Sequence, residues 1–396
     1  MRNHIDCPAL RSGYNEFMKL EVRTTTIFAI ALVACALVAC LTACAGGGVT
    51  STRTSFSGDV GDKPAQEEPF TISLGFVGDV CLADNYDPVG RLNDMGSTDI
   101  TDGIDAAFVQ KMHEMNLMWL NNEFVYSNIE EPNPGKMYTF RAAPENVKYL
   151  HDLGVDIVGL ANNHTFDYGI ESFIDTVETL EGAGIPYVGA GRNDKEAYAP
   201  VYLDANGITI GYVAASRAEY AIYTLEATPT EPGIAWCYDN ARFLESVREA
   251  AAHADYVVVL PHWGIEKSTM LEDEQIEYAH QYIDAGADIV IGAHPHILQG
   301  IEYYNGKPIL YSLGNFWFDG YDIDTVLAQV QVSGTMTADG CLKGEPSARV
   351  VLHPGLQSGL FTAWEEGTDE GYRILSYLEY LSINVTIGED GVVTPE

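Results

Sequence analysis

Residues 156–183, DIVGLANNHTFDYGIESFIDTVETLEGA, give the clearest indication of the fold class of this chain. Residues 156–160 form a short apolar run with the length and β-branched content of a buried strand. Residues 170–183 carry apolar side chains at helical spacing, and a polar segment joins the two. A strand, a polar loop and a helix in that order predict one unit of an α/β protein with a partly parallel sheet.

The same alternation of short strands and helices continues on both sides of this unit. Strands are predicted at residues 72–77, 117–120, 187–189, 256–260 and 288–291, and helices at 104–115, 144–153, 241–253, 274–285 and 371–381. Asn206-Gly207 and Asn305-Gly306 stand between strand-like residues, which is typical of tight hairpins. We therefore expect a mixed α/β sandwich that begins near Pro69, with an irregular insertion at residues 216–238.

Composition excludes one class of partner. The chain has 21 basic and 57 acidic side chains, a formal net charge of -36, and 46% hydrophobic residues. So much negative charge repels nucleic acid and anionic lipid surfaces, so nucleic-acid binding is not expected. The apolar content is sufficient for a large core, and a chain of 396 residues accommodates one large domain or two small ones.

The first 44 residues resemble a bacterial lipoprotein signal peptide. Lys19 and Arg23 precede an apolar run at residues 27–43, and the tetrapeptide Leu-Thr-Ala-Cys ends at Cys44. The resemblance implies lipidation of Cys44, and hence an extracytoplasmic protein attached to the membrane by an N-terminal lipid. Similar tetrapeptides end at Cys35 and Cys40, and an uncleaved transmembrane anchor is the alternative. Residues 45–68 are rich in Gly, Ser, Thr, Asp and Glu and predict a flexible tether.

Potential metal ligands follow nearly every predicted strand. In chain order they are Asp79, Glu123, Asn163 with His164, His262, and His294 with His296. Because the carboxyl ends of parallel strands meet at one sheet edge, these residues are expected to lie together. Each of them alone has an ordinary structural explanation, such as a helix cap or a buried, hydrogen-bonded histidine. Together, carboxylates, an amide and imidazoles predict a metal site.

The closely spaced histidines are the most specific part of this pattern. An extended segment would place His294 and His296 on the same face, and Gly292 would permit close backbone approach.

The order of these motifs resembles the CapA family of poly-gamma-glutamate capsule synthesis proteins. The motifs are Gly78-Asp79, Asn122-Glu123, ANNHTFDYG from residue 161, His262-Trp263-Gly264, Gly292-Ala293-His294-Pro295-His296 and Leu313-Gly314-Asn315-Phe316. The resemblance extends over residues 70–320. That family is similar in fold to the calcineurin-like metallophosphoesterases, which implies a four-layer αββα sandwich with mixed sheets over residues 69–396.

The resemblance also implies roles for individual residues. Glu123 would bridge two divalent metal ions, Mn, Fe or Zn, with Asp79 and His296 on the first and Asn163, His262 and His294 on the second. His164, oriented by Asp167, would act beside the substrate as a general acid or oxyanion partner. Two such ions activate a water molecule and neutralise charge on the substrate. A metal-dependent hydrolase of the phosphoesterase type is therefore expected.

Two residues leave alternatives open. Cys81 stands where phosphoesterases usually carry a histidine, so it is either a thiolate ligand or a small buried apolar residue. Arg141 is either a binding group for an anionic substrate or a surface ion-pair partner. The expected partners are an anionic cell-envelope polymer or a phosphoester, together with capsule-synthesis machinery. The alternative functions are a non-catalytic polymer-binding export or assembly factor and a purely structural lipoprotein.

Overall fold

The computed structural model describes residues 67–84, 86–220 and 224–396. The predicted signal peptide with Cys44, and the tether as far as residue 66, lie outside the described residues. Residues Pro69–Thr335 and Gly344–Glu396 together form one compact unit. Within the part of the chain that is described, no helix has both the length and the apolar character needed to cross a membrane.

The described elements alternate as the sequence predicts. The helices are α1 (Asp87–Met95), α2 (Ala106–His113), α3 (Lys148–Asp152), α4 (Gly169–Ala183), α5 (Asp194–Ala197), α6 (Asn240–His253), α7 (Asp273–Ala285) and α8 (Asp369–Leu381), with 3-10 turns at Ile100–Asp102 and Pro144–Val147. The strands are β1 (Glu68–Val80), β2 (Leu117–Asn122), β3 (Val125–Tyr126), β4 (Arg141–Ala142), β5 (Ile157–Gly159), β6 (Tyr187–Val188), β7 (Ala190–Gly191), β8 (Val201–Ala205), β9 (Ile208–Ser216), β10 (Gly233–Ile234), β11 (Tyr256–His262), β12 (Ile289–Ile291), β13 (Leu298–Tyr304), β14 (Lys307–Leu313), β15 (Asn315–Trp317), β16 (Ile323–Met336), β17 (Ser347–Ser358), β18 (Phe361–Trp364), β19 (Val385–Ile387) and β20 (Val393–Pro395).

Two mixed sheets form the centre of the protein. The first has eight strands in the order β18-β17-β16-β1-β2-β5-β6, with β15 beside β1, and the second has six in the order β13-β14-β12-β11-β9-β8. Strands β1, β2, β5 and β6 are parallel, as are β9, β11, β12 and β14, while the β8–β9 and β13–β14 pairs are antiparallel. Both predicted hairpins are confirmed, because Asn206-Gly207 and Asn305-Gly306 have the positive φ angles of a type I′ turn.

The directions of alternate side chains along the strands show how the sheets and helices are layered. Met118 and Leu120 of β2 share one apolar cluster with residues of α2 and α4, and Val257 and Val259 of β11 share another with α6 and α7. Trp119 points the opposite way from Met118 and Leu120, and it lines a small cavity between the sheets. The two sheets therefore face each other with helices outside them, which confirms the four-layer αββα sandwich.

One large part of the first sheet has no counterpart in the predicted elements. Strands β16 and β17 pair antiparallel over a long register and add to the edge of β1. The burial of β16 alternates over residues 328–333, a strand pattern that the sequence contains but that was not predicted. The helix predicted at 144–153 is a 3-10 turn followed by the short α3. The segment 216–238 is largely irregular where it is described, as expected.

Candidate metal centre

The parallel strands of both sheets bring their carboxyl ends to a common edge. Asp79 is the penultimate residue of β1, Glu123 follows β2, Asn163 follows β5, His262 ends β11, and His294 follows β12. All five side chains are buried. Strands that are far apart in sequence thus deliver ligand-type groups to one place, as expected for an open α/β sheet.

Two glycines permit this close approach. A Cβ atom added to Gly78 would lie 1.8 Å from the carbonyl oxygen of Gly314, and one added to Gly292 would lie 2.0 Å from that of Tyr311. The amide of Asp79 donates to the Gly314 carbonyl at 2.9 Å, which fixes the end of β1. The close backbone approach predicted at Gly292 is confirmed.

Glu123 occupies the middle of the cluster. Its side chain is fully buried, and its Oε1 atom has no hydrogen-bond partner among the described residues. The Nε2 atoms of His164, His262 and His296 lie 3.8, 3.7 and 3.8 Å from this oxygen. These separations are too long for hydrogen bonds, so three imidazoles converge on a carboxylate oxygen without pairing with it.

Asn121 connects the two buried carboxylates. Its Nδ2 atom donates to Asp79 Oδ1 at 2.8 Å and to Glu123 Oε2 at 3.2 Å, and it lies 3.3 Å from His262 Nδ1. One amide group therefore holds both carboxylates in position and partly compensates their repulsion.

Two groups of potential ligand atoms overlap at Glu123. One comprises Asp79, Glu123 and His296, and the other comprises Glu123, His262 and His294, with ligand atoms within 4.8 Å of one another in each group. Glu123 belongs to both, which is the arrangement that the sequence resemblance implies. Asn163 adjoins the second group, because its Oδ1 atom lies 2.9 Å from His262 Nε2.

The backbone at His294 and His296 differs from the predicted conformation. His294 has a φ of 98° and His296 a φ of 59°, so the segment is a strained turn and the expectation of an extended segment is wrong. The ring centroids lie 6.0 Å apart. His296 Nδ1 is 2.8 Å from Asn315 Oδ1 and 3.3 Å from Asp79 Oδ2, which orients its ring. Positive φ at non-glycine residues is concentrated at functional sites.

Burial controls the protonation of the cluster. Burial and the charge of Asp79 raise the pKa of Glu123 well above its usual value. Burial and the neighbouring imidazoles lower the pKa of His262, and burial is the main reason that the pKa of His294 falls to about 3. Both histidines are thus neutral near pH 7, the state in which an imidazole binds a metal ion.

The chemistry of the donor set fits divalent cations. Glu123 Oε1 and His294 Nδ1 are buried polar atoms that have no hydrogen-bond partner among the described residues. Leaving such atoms unpaired costs free energy, and a bound cation would remove that cost at both of them. Carboxylate, amide and imidazole donors suit Mn, Fe and Zn.

A second buried chain of contacts adjoins this cluster. His164 Nδ1 lies 2.8 Å from Asp167 Oδ2, and the amide of Phe140 donates to the same oxygen at 2.7 Å. The other carboxylate oxygen of Asp167 lies 2.6 Å from Lys136 Nζ. Burial lowers the pKa of His164 despite the opposing charge of Asp167, and the Lys136 ammonium lowers it further. His164 thus presents a neutral imidazole with Nε2 directed towards Glu123.

Cys81 belongs to no group of potential metal ligands among the described residues, and the contacts of Arg141 are with Ser127 and Tyr168. Cys81 is buried in the apolar cluster beneath the first sheet, and burial raises the pKa of its thiol well above the usual value. These observations favour the small apolar residue over the thiolate ligand. Arg141 Nη1 donates to the Ser127 carbonyl at 3.0 Å, and its guanidinium lies 5.7 Å from the Tyr168 ring centroid. Among the described residues it forms no ion pair.

Three residues of the site were not identified as participants from the sequence. Asn121 and Asn122 are adjacent in the sequence, and only the alternation of side chains along β2 shows which of them faces the site. Lys136 lies on an irregular loop, where its one sequence signal is that cations are scarce in this acidic chain. The third residue is Glu266, whose carboxylate groups with His294 and His296.

Comparisons with known proteins agree on one family of similar proteins. The model of the family described as "Bacterial capsule synthesis protein PGA_cap" matches residues 73–320. The PGA biosynthesis protein CapA of Bacillus subtilis is 33% identical over 260 residues, which are 63% of this chain and 63% of that protein. The capsule biosynthesis protein CapA of Bacillus anthracis is 35% identical over 213 residues, 50% of this chain and 51% of that protein. The chain thus spans less than two thirds of these relatives.

Solved structures include similar folds at low sequence identity. A novel phosphatase from Mycoplasma pneumoniae has a TM-score of 0.41 and 12% identity, and the match covers 74% of this chain and 96% of that one. A putative 5'-nucleotidase from Staphylococcus aureus has a TM-score of 0.41 and 14% identity, covering 78% and 58%.

Proposed function

Because this chain belongs to the bacterial capsule synthesis protein family PGA_cap, we propose that its buried cluster is a two-metal hydrolase centre that cleaves a phosphoester or a related bond in an anionic cell-envelope polymer. The observation that carries the proposal is the environment of Glu123 Oε1. This buried oxygen has no hydrogen-bond partner among the described residues, while the Nε2 atoms of three histidines lie 3.7 to 3.8 Å away. A buried carboxylate with that surrounding is suited to bridging cations.

The residues divide into those that hold metal and those that act on substrate. Asp79 and His296 would hold one ion, His262, His294 and Asn163 the other, and Glu123 both. Bound divalent ions supply an activated water molecule and neutralise charge on the substrate oxygens. The surrounding sandwich keeps the ligand side chains buried and oriented.

His164 is the proton-handling residue of the proposal. Asp167 fixes the ring through Nδ1 and so leaves Nε2 free to exchange a proton with a substrate oxygen. Its lowered pKa keeps the imidazole neutral near pH 7 before substrate binds. A neutral imidazole whose Nδ1–H donates to Asp167 accepts a proton at Nε2, and it can donate from Nε2 only after it has taken up that proton.

The cellular setting is part of the same proposal. A lipid on Cys44 would hold the protein at the outer side of the membrane, where a secreted polymer and capsule-synthesis machinery are accessible. The leader motif supports this location.

The test combines metal analysis with turnover. Purified protein is analysed for bound metal and assayed on an aryl phosphodiester with added Mn²⁺. We expect Glu123→Gln to lose both metal and turnover, and His164→Ala to keep metal and lose turnover about 10²- to 10⁴-fold. Wild-type protein that holds no metal and shows no turnover would refute the hydrolase.

One observation favours a second candidate, a non-catalytic polymer-binding factor. Cys81 is packed in an apolar cluster, so the first metal group lacks the histidine that phosphoesterases usually place there. In that case metal would bind without turnover, and His164→Ala would leave binding of an anionic polymer nearly intact. Poly-gamma-glutamate binding by the wild type and by this variant distinguishes the two candidates.

A further inference from the structure

We propose that Glu266 is an additional metal ligand on the solvent side of this centre, an inference that rests on the metal site proposed above. Glu266 lies on the turn that follows β11, and it is exposed, unlike the other ligand candidates. Glu266 belongs to neither of the two metal-ligand groups that share Glu123. Its position is nevertheless fixed against the histidine turn.

The first argument is proximity. A carboxylate oxygen of Glu266 and one ring nitrogen each of His294 and His296 lie within 4.8 Å of one another. The same two histidines belong separately to the two groups that share Glu123. Glu266 is therefore within reach of one histidine from each of the two groups.

The second argument is the rigidity of the turn that carries Glu266. The amide of Lys267 donates to the Pro295 carbonyl at 2.8 Å, and that of Ser268 donates to the Ile265 carbonyl at 3.1 Å. Lys267 has a φ of 57°, which is a strained conformation for this residue type. The hydrogen bond from the Lys267 amide to the Pro295 carbonyl joins two turns, and each turn contains a residue in a strained backbone conformation, Lys267 in one and His294 in the other. This bond keeps the two turns together.

The third argument is that the carboxylate is unused. Glu266 forms no ion pair or hydrogen bond with any other residue that the structure describes. The neighbouring Lys267 does not neutralise it, since the Lys267 ammonium lies over the Tyr321 ring at 4.6 Å.

The ligand count explains why an extra carboxylate would matter. With Cys81 in the apolar core, the first group has three protein ligands, Asp79, Glu123 and His296. Divalent transition metals take four or more ligands, so a fourth protein donor would strengthen that site. A solvent-side carboxylate would also be the ligand most easily displaced by an anionic substrate.

The experiment measures Mn²⁺ binding to the full-length protein by titration calorimetry, with thermal unfolding in the presence and absence of Mn²⁺. Glu266→Gln removes the charge and keeps the shape. Glu277→Gln is the matched control, because Glu277 is an exposed carboxylate of α7 whose contact is with Gln281. We expect Glu266→Gln to weaken one Mn²⁺ equivalent about tenfold or more, with Glu277→Gln unchanged.

The outcomes separate this inference from the proposed function. Wild-type Mn²⁺ affinity in Glu266→Gln overturns the ligand role and leaves the metal centre standing. Absence of Mn²⁺ binding in the wild type overturns the metal centre, and the inference with it. An equal loss of melting temperature with and without Mn²⁺ would make Glu266 a structural residue and also overturn the inference. Partial recovery of affinity in Glu266→Asp supports direct ligation.

Discussion

Lys136 Nζ lies 2.6 Å from Asp167 Oδ1, and the same ammonium donates to the carbonyl oxygen of Asn163. The Lys136 side chain is 6% exposed and that of Asp167 is fully buried. Asp167 also contacts His164 Nδ1, so its charge is divided between an ammonium and an imidazole. Lys136 therefore both compensates a buried carboxylate and opposes protonation of His164.

Lys136→Met should destabilise the protein and change the titration of His164. Removing one partner of a buried ion pair leaves the other charge uncompensated, which costs about 3–5 kcal/mol of unfolding free energy. The pKa of His164 should rise, because the Lys136 charge is one of the causes that lower it. Chemical denaturation and NMR titration of the histidine ring measure the two effects.

The control is Lys111→Met, which breaks the exposed pair between Lys111 and Glu114. Exposed pairs contribute about 0–1 kcal/mol, so this variant should unfold almost as the wild type does. An unchanged His164 pKa in Lys136→Met would contradict the electrostatic role of Lys136.

Asn121→Ala should lose more stability without metal than with it. In the metal-free protein it removes the donor shared by Asp79 and Glu123, at a cost of about 1–3 kcal/mol. Saturating Mn²⁺ should reduce this loss, because cations then neutralise both carboxylates. The control is Asn122→Ala, since Asn122 is also buried but donates to the Phe124 carbonyl. Equal losses in both conditions would argue against the proposed metal position.

Much of the fold could be predicted because it depends on local patterns. The apolar run before Asp79 and the helical spacing after Tyr168 report burial residue by residue, and both elements are observed. The Asn-Gly turns were predictable for the same reason, since the two residues themselves favour positive φ. The convergence of strand ends followed from the edge rule for parallel strands.

The rest of the site depends on tertiary contacts that no local pattern encodes. Lys136 reaches Asp167 across 31 positions of the sequence from an irregular loop. The positive φ of His294 and His296 runs against the preference of their residue type, so the surrounding structure must impose it. Neither feature has a period or a spacing from which to be inferred.

Cys81→Ala should retain Mn²⁺ affinity. The thiol is buried in an apolar cluster, and Cys81 belongs to none of the groups of potential metal ligands among the described residues. Loss of the sulfur should cost about 1–2 kcal/mol through a small cavity. Calorimetric titration with Mn²⁺ measures the affinity, and native Cys81 should resist thiol-modifying reagents. A large fall in affinity would instead identify Cys81 as a ligand.

Gly78→Ala should destabilise the edge of the sheet that carries Asp79. The added Cβ would meet the Gly314 carbonyl oxygen at 1.8 Å, which the backbone can relieve only by moving. We expect a loss of at least about 1–3 kcal/mol and weaker Mn²⁺ binding. Gly182→Ala is the control, because this glycine of α4 has open space around its Cβ position. That variant should gain about 0.5–1 kcal/mol. Thermal unfolding compares the two.

Mn²⁺ binding should release protons, and the number released should grow as the pH falls. Burial and the charge of Asp79 raise the pKa of Glu123, so the metal-free carboxyl keeps its proton to a higher pH than an ordinary glutamate. A cation needs the ionised form and therefore expels that proton. Against its burial, the hydrogen bond and the charge of Asp79 raise the pKa of His296 as well, so its proton adds to the release. His294 contributes nothing, since its pKa is already lowered to about 3.

The direction in which proton release changes with pH determines which pH values should be compared. Above the raised pKa of Glu123 the carboxylate is already ionised, so binding releases few protons and affinity is highest. Below it, each bound ion displaces a proton and the apparent affinity falls. Calorimetric titrations in two buffers of different ionisation enthalpy, at about pH 6 and about pH 8, give the proton count directly. Equal counts at the two pH values would mean that neither Glu123 nor His296 changes protonation when the metal binds.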